Sequence, residues 1–252
     1  MNLARRVLNR SGELVYSESI DGGEGSRDPR LDWLADWVGD RMPGASIVDV
    51  GCWTGTLIRW AIAAGAASAT GIDLPGPWLD AARSNLPQAT WLQVSSIEEL
   101  PDGLEARFDV VFFLETLEHL PRGSEAPAFR ALRRLLAPGG ILVCSTPLAG
   151  PIALADPAWL LVGHRHYRPR TLTGLLKASA LQVDELRYSG NACTAATTNL
   201  FYAEKHLLRR PPARHPWLER RADTGLRFDR QVTSTTVWLR AGLAAPEESS
   251  RR

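Results

Sequence analysis

Short apolar runs alternate with amphipathic stretches through the first 145 residues of the chain. Leu31, Leu34, Ala35 and Val38 recur at the 3.6-residue period and predict a helix that Pro43-Gly44 ends. Ile47 to Val50 then predicts a strand, Thr54 to Ala64 a helix stopped by Gly65, and Ala69 to Ile72 a second strand. A helix near Trp78 to Asn85 and a strand from Trp91 to Val94 follow. Val110 to Leu114 is an unbroken apolar run, as expected of a strand covered on both faces. Phe129, Leu132 and Leu136 mark one side of a helix running to Pro138-Gly139-Gly140, and Ile141 to Cys144 is a fifth strand. Strands alternating with helices predict an α/β fold with a parallel sheet between two helical layers.

The rhythm changes toward the end. Thr171 is placed to cap a short helix through Leu172, Leu175 and Leu176, with strands expected at Leu181 to Tyr188 and Val232 to Leu239. Residues 191–229 read as an insertion with a helix at Leu200 to Leu208 and a Pro-rich basic stretch from Arg209 to Arg221. Residues 1–30, which include Asp21-Gly22-Gly23-Glu24-Gly25-Ser26, and residues 244–252 are expected to be flexible. One domain over residues 31–243 remains.

Composition narrows the partners. Apolar residues make up 44% and charged residues 23%, ordinary for a soluble globular chain. A net charge of +1 carries no footprint for a polyanion, so nucleic acid is not the expected partner. Cys52, Cys144 and Cys193 are far apart and form neither a CxxC pair nor a disulfide framework, which suits the cytoplasm. No secretory signal is read at MNLARRVLNR, and no run approaches the roughly 18 apolar residues of a membrane span.

Candidate chemistry begins at Asp49-Val50-Gly51-Cys52-Trp53-Thr54-Gly55, a strand running into a glycine-containing turn and a helix. Gly51 allows a sharp turn, and a helix N-terminus offers free N–H groups. Asp73 ends the next strand, placed to accept hydrogen bonds from ribose hydroxyls. The turn lacks G-x-G-x-x-G, and Asp49 suits a ligand carrying an amine better than a pyrophosphate, so a dinucleotide is the weaker reading.

These segments resemble the class I S-adenosylmethionine (SAM)-dependent methyltransferases. Residues 49–55 look like their first motif and Gly71-Ile72-Asp73-Leu74 like the acidic end of the second strand. Ser95-Ser96-Ile97-Glu98-Glu99-Leu100-Pro101, Phe108-Asp109-Val110-Val111 with Leu114, and Leu136-Ala137-Pro138-Gly139-Gly140 match later motifs in order, over roughly residues 40 to 190. The resemblance implies a Rossmann-like fold with a seven-stranded, mostly parallel sheet whose last strand is antiparallel. It also implies SAM as cofactor. Asp49 and the turn Gly51, Cys52 and Gly55 would hold the methionine end, Asp73 the ribose, and Leu74 the adenine face. Ser96 and the Ile97 backbone would meet the adenine edge, and the Leu114 backbone the amino group. Two positions depart from the pattern: Trp53 stands for the usual middle glycine, and Ser96 for the usual aspartate.

After the fourth strand come Glu115, Glu118 and His119, spaced to point one way in a helical turn. His119 is a candidate general base for a hydroxyl acceptor; a histidine that merely lines the pocket remains open. The E-x-x-E-H order resembles ubiquinone-biosynthesis O-methyltransferases and metal-dependent small-RNA methyltransferases. That resemblance implies a divalent metal (Mg²⁺, Mn²⁺ or Zn²⁺) on Glu115, Glu118, His119 and His166, with His164 nearby. Tyr16 is a further candidate, and Ile152, Leu154, Trp159, Leu160, Leu161 and Val162 could line an apolar pocket or belong to the core. The basic run from Lys205 to Arg221 reads as a solvated face, with contact to a membrane surface or to RNA the alternatives. The expectation is O-methylation of a small molecule in quinone or secondary-metabolite biosynthesis. RNA 2′-O-methylation and non-catalytic SAM binding stand as alternatives.

Overall fold

The computed structural model describes residues 29–152, 163–210, 213, 215–224 and 234–244. Seven strands form one sheet in the order β3-β2-β1-β4-β5-β7-β6. They are β1 (Ser46–Val50), β2 (Ser68–Asp73), β3 (Thr90–Gln93), β4 (Phe108–Leu114), β5 (Leu136–Pro147), β6 (Leu181–Ser189) and β7 (Thr236–Leu243). The first five run parallel, and β7 lies antiparallel between β5 and β6. The α/β class, the strand count and the antiparallel last strand match the expectation.

The helices are α1 (Pro29–Val38), α2 (Thr56–Ala63), α3 (Pro77–Asn85), α4 (Glu125–Leu135), α5 (Pro169–Ala178), α6 (Ala192–Tyr202) and α7 (Pro216–Thr224). The expected break at residues 191–229 holds α6, its π-helical continuation Ala203–Leu207 and α7. Thr171 does not cap α5: Pro169 occupies the first turn and Arg168 is the cap residue, so Thr171 lies inside the helix. Pro169 starts the helix where its missing N–H costs nothing.

β4 shows why the sheet is two-sided. Val110 and Phe112 join one core with Ile47, Ile58, Val143 and Trp238, while Val111 and Phe113 join the other with Val48, Phe129, Leu132 and Leu172. Alternate side chains of a strand face opposite sides, so an all-apolar strand must be covered twice. On α1, Leu34, Trp37 and Val38 are buried and Ala35 is exposed, shifting the buried face from the one periodicity predicts. The cause is Trp37, whose indole N–H donates to Glu185 Oε2 at 2.8 Å on β6. Trp33 packs on Trp238 at 4.6 Å between ring centres, and Arg187 lies 5.0 Å over the Trp37 ring.

Trp238 anchors this corner. It is fully buried on β7, and its indole N–H donates to Ser189 Oγ at 2.7 Å. Trp238→Ala is expected to cost about 3–5 kcal/mol, the usual range for emptying a large aromatic site. Urea denaturation measures it, and a loss below about 1 kcal/mol would contradict this account of the core.

Candidate active site at the carboxyl ends of the parallel strands

The loops after β1, β2, β4 and β5 leave the same edge of the sheet, where open α/β folds hold ligands. β1 hands over to its turn through Gly51 N–H and Cys52 N–H, which donate to Ile72 O at 2.8 and 3.2 Å. Gly51 adopts φ +84, and a Cβ there would lie 2.3 Å from Thr116 Oγ1. Its bareness therefore admits Thr116, which bonds the Leu114 carbonyl at 2.9 Å and brings the β4 loop against the turn. Gly55, at φ +77, begins α2 with its open side against the Trp91 ring. Cys52 is buried, its sulfur close to Gly71, so it presents backbone and not thiol to the edge.

Asp73 closes the arrangement. Its carboxylate accepts Trp53 N–H and Leu74 N–H, both at 2.7 Å, while its carbonyl accepts Val94 N–H at 3.0 Å. Burial raises its pKa against the opposing pull of those amides and of the Trp78 side chain. Asp49 is buried behind it, and burial, with Asp73 adding repulsion, pushes its pKa up to about 8. Arg30 opposes that rise and was not read from the sequence. Leu74 is 42% exposed, Ile97 buried, and Ser96 Oγ accepts Glu98 N–H at 3.2 Å.

The second half of the edge is a cavity of about 280 Å³. Glu115, Glu118, His119, His164 and His166 line it with Ile152, and Thr194, Thr198, Asn199 and Tyr202 of α6 form the facing wall. The expected helical turn is not what gathers them. Glu115 sits at φ +47 in the left-handed region, and only Leu117–His119 makes a 3₁₀ turn. Ser145 Oγ donates to Glu115 Oε1 at 2.7 Å and Thr146 Oγ1 to Glu118 Oε2 at 3.1 Å, partners supplied by β5. Burial raises the pKa of Glu118 strongly and mutual repulsion adds to it; burial raises that of Glu115 as well.

His119 opens to the cavity with its ring 4.4 Å from that of His164, edge on. Desolvation, then His164 and Arg165, push its pKa down to about 4. Arg165 is fixed by an ion pair with Glu125 and by donating to Leu117 O at 2.9 Å. The site therefore holds a neutral imidazole at physiological pH, beside carboxyl groups that resist ionisation.

Among the described residues no group of three or more His, Cys, Asp or Glu is arranged to hold a metal. Glu115, Glu118, His119 and His166 share the cavity, but the two carboxylates are turned to each other and to β5 hydroxyls. In this arrangement the four side chains form no metal-holding group. Tyr16, Leu154, Trp159, Leu160, Leu161 and Val162 lie outside the described residues. In the basic segment, Arg210 pairs with buried Glu204 at 2.7 Å and Arg221 stacks 4.8 Å over Trp217. No described helix is long and apolar enough to cross a membrane.

Comparison with known proteins agrees with this geometry. The methyltransferase-domain family matches residues 47–140. A ubiquinone biosynthesis O-methyltransferase of Alkalilimnicola ehrlichii is 40% identical over 121 residues, 46% of this chain and 47% of that protein. One from Xanthomonas campestris pv. campestris is 33% identical over 172 residues, 62% of this chain and 70% of that protein. The chain thus spans about half the length of the first relative and more than two thirds of the second. Among solved structures, a SAM-dependent methyltransferase from Mesorhizobium loti superposes with a TM-score of 0.56 at 23% identity, covering 84% of this chain and 99% of that one. The CcbJ methyltransferase from Streptomyces caelestis gives 0.60 at 17%, covering 91% and 96%. These two likenesses establish the fold.

His119 offers a direct check. Its folded pKa lies below the ordinary histidine value, so its contribution to stability is complete above about pH 6.5 and is lost as pH falls toward 4. Wild type is expected to lose stability over that window relative to His119→Gln, and the His119 ring resonances should titrate near pH 4. A midpoint near 6.5 would refute the desolvated site.

Proposed function

From the premise that this chain belongs to the class I SAM-dependent methyltransferases, we propose that it methylates a hydroxyl of a small-molecule acceptor held beside His119. The observation that carries this reading is the neutral imidazole at the wall of a 280 Å³ cavity, on the strand edge that also bears Asp49, Gly51 and Asp73. That volume lies at the small end of ligand pockets and suits a single-ring acceptor. Its described lining carries two glutamates and no lysine or arginine, which favours a small molecule over a phosphate-bearing RNA.

The turn fits the cofactor. A buried carboxyl whose pKa stands near 8 is one that a cation would ionise, and the α-ammonium of SAM is such a cation. Asp49 would hold the amino-acid end, Asp73 the ribose hydroxyls, and Ser96 and Ile97 the adenine edge, with the Leu114 backbone toward the amino group. SAM supplies a sulfonium-activated methyl group, for which alignment with the nucleophile does most of the catalysis. His119 takes the acceptor hydroxyl's proton on its free imidazole nitrogen as the oxygen gains carbon. Ser145 and Thr146 hold Glu115 and Glu118 in place at the cavity wall. Quinone precursors carry such hydroxyls, and the relatives named for ubiquinone biosynthesis support that class.

His119→Ala is expected to lower methyl transfer from labelled SAM to phenolic or catecholic acceptors by about 10²–10⁴-fold while leaving cofactor affinity unchanged. Equal turnover would remove His119 from the chemistry. Asp49 gives an independent test. At pH 7 the ligand-free protein holds its proton, and pairing with the α-ammonium lowers its pKa. Binding of S-adenosylhomocysteine should release close to one proton, and affinity should rise with pH until about 8. Calorimetry in buffers of different ionisation enthalpy reads this directly; binding without proton release would disconnect Asp49 from the ligand.

A further inference from the structure

The cofactor edge carries an aromatic feature that the transferase reading does not use. Trp53 stands at φ +48, a left-handed conformation that strains a bulky L-residue. Its neighbours hold it there. Its backbone N–H donates to Asp73, and its ring stacks on Trp78, 5.8 Å between centres with 19° between planes. Trp78 is folded back over the loop between β2 and α3: a Cβ on Gly76 would meet its ring at 2.3 Å. Leu74, whose N–H donates to the same carboxylate, is 42% exposed, and Trp53 is 38% exposed. Apolar surface is thus gathered around one carboxylate at the ligand-binding edge, and water covers it at a cost.

We propose that Trp53 and Trp78 form an aromatic clasp for the nucleoside end of the cofactor, resting on that reading of the site. In the structure the two indoles stack on each other, and Trp78 also interacts with Asp73. On binding, the ribose hydroxyls take over the Asp73 carboxylate, and the purine takes an indole face and covers Leu74. Every base presents a flat π-face to an aromatic ring, so the clasp grips the adenine without reading its edge. This supplies hold at the place where Ser96 stands instead of an acidic adenine partner. Trp53 and Trp78 are accordingly affinity-determining residues for adenosyl ligands.

The test measures binding and not turnover. Purified full-length protein is titrated with S-adenosylhomocysteine, adenosine and homocysteine, by calorimetry and by intrinsic tryptophan fluorescence. Wild type is expected to show quenching with the first two and none with homocysteine. Trp78→Leu and Trp53→Gly should each weaken S-adenosylhomocysteine by about tenfold, equivalent to about 1.4 kcal/mol. Trp53→Gly removes the strained side chain, so its melting temperature should hold or rise while affinity falls. A purely structural tryptophan would lose both together. Variant affinities within twofold of wild type, or tighter binding because the pair was a plug, would overturn the clasp with the transferase reading intact. Wild type that bound neither S-adenosylhomocysteine nor adenosine would bring down the cofactor site itself, and the clasp with it.

Discussion

The Asp73 carboxylate ties the ligand-binding edge together. It accepts Trp53 N–H from the β1 turn and Leu74 N–H from its own loop, so one side chain orders two segments twenty residues apart. Buried polar groups are tolerated when bonded, and each oxygen of this carboxylate accepts one amide. The same bonds spread the apolar side chains of Trp53 and Leu74 outward, toward the ligand side. Asp49 feels that carboxylate from behind and stays protonated partly because of it. Structure and chemistry at this edge share one interaction.

β5 plays the matching role for the cavity lined by Glu115, Glu118 and His119. Ser145 and Thr146 are adjacent residues of one strand, and each bonds a different glutamate of the β4 loop. The tertiary contact holds the carboxyl groups where local geometry alone would not, because Glu115 is in a left-handed conformation that favours glycine. Arg165 then tethers the loop carrying His164 and His166 to Leu117 and Glu125. The result is a pocket of carboxyl groups that resist ionisation around an uncharged imidazole.

Much of this was legible in the residues. The unbroken apolar run of β4, Val110 to Leu114, marked a strand buried on both faces, and the structure covers it on both. Most helices and strands fell within a few residues of their expected places, but the helix read at Leu200 to Leu208 begins at Ala192, and Leu136, read as the end of a helix, starts β5, which was expected only from Ile141. Local pattern failed where a distant partner intervened. Trp37, and not Ala35, faces inward because its indole reaches Glu185 on β6. Thr171 looked like a cap, yet Pro169 starts the helix earlier. Gly51 makes the sharp turn read from the sequence, while its packing against Thr116 of the β4 loop could not be read there.

The chain on its own determined the layered α/β architecture and put Asp49 and Asp73 at the carboxyl ends of β1 and β2, because hydrophobic periodicity and strand-end residues act locally. The tertiary structure decided the state of the acceptor groups. The E-x-x-E-H spacing suggested a metal-ready helical turn, whereas folding turned both carboxylates onto β5 hydroxyls and left His119 uncharged. It also stacked Trp53 on Trp78 from either side of a strand. Protonation and ring contact depend on burial and on neighbours far away in sequence, and these exist only once the sheet is assembled.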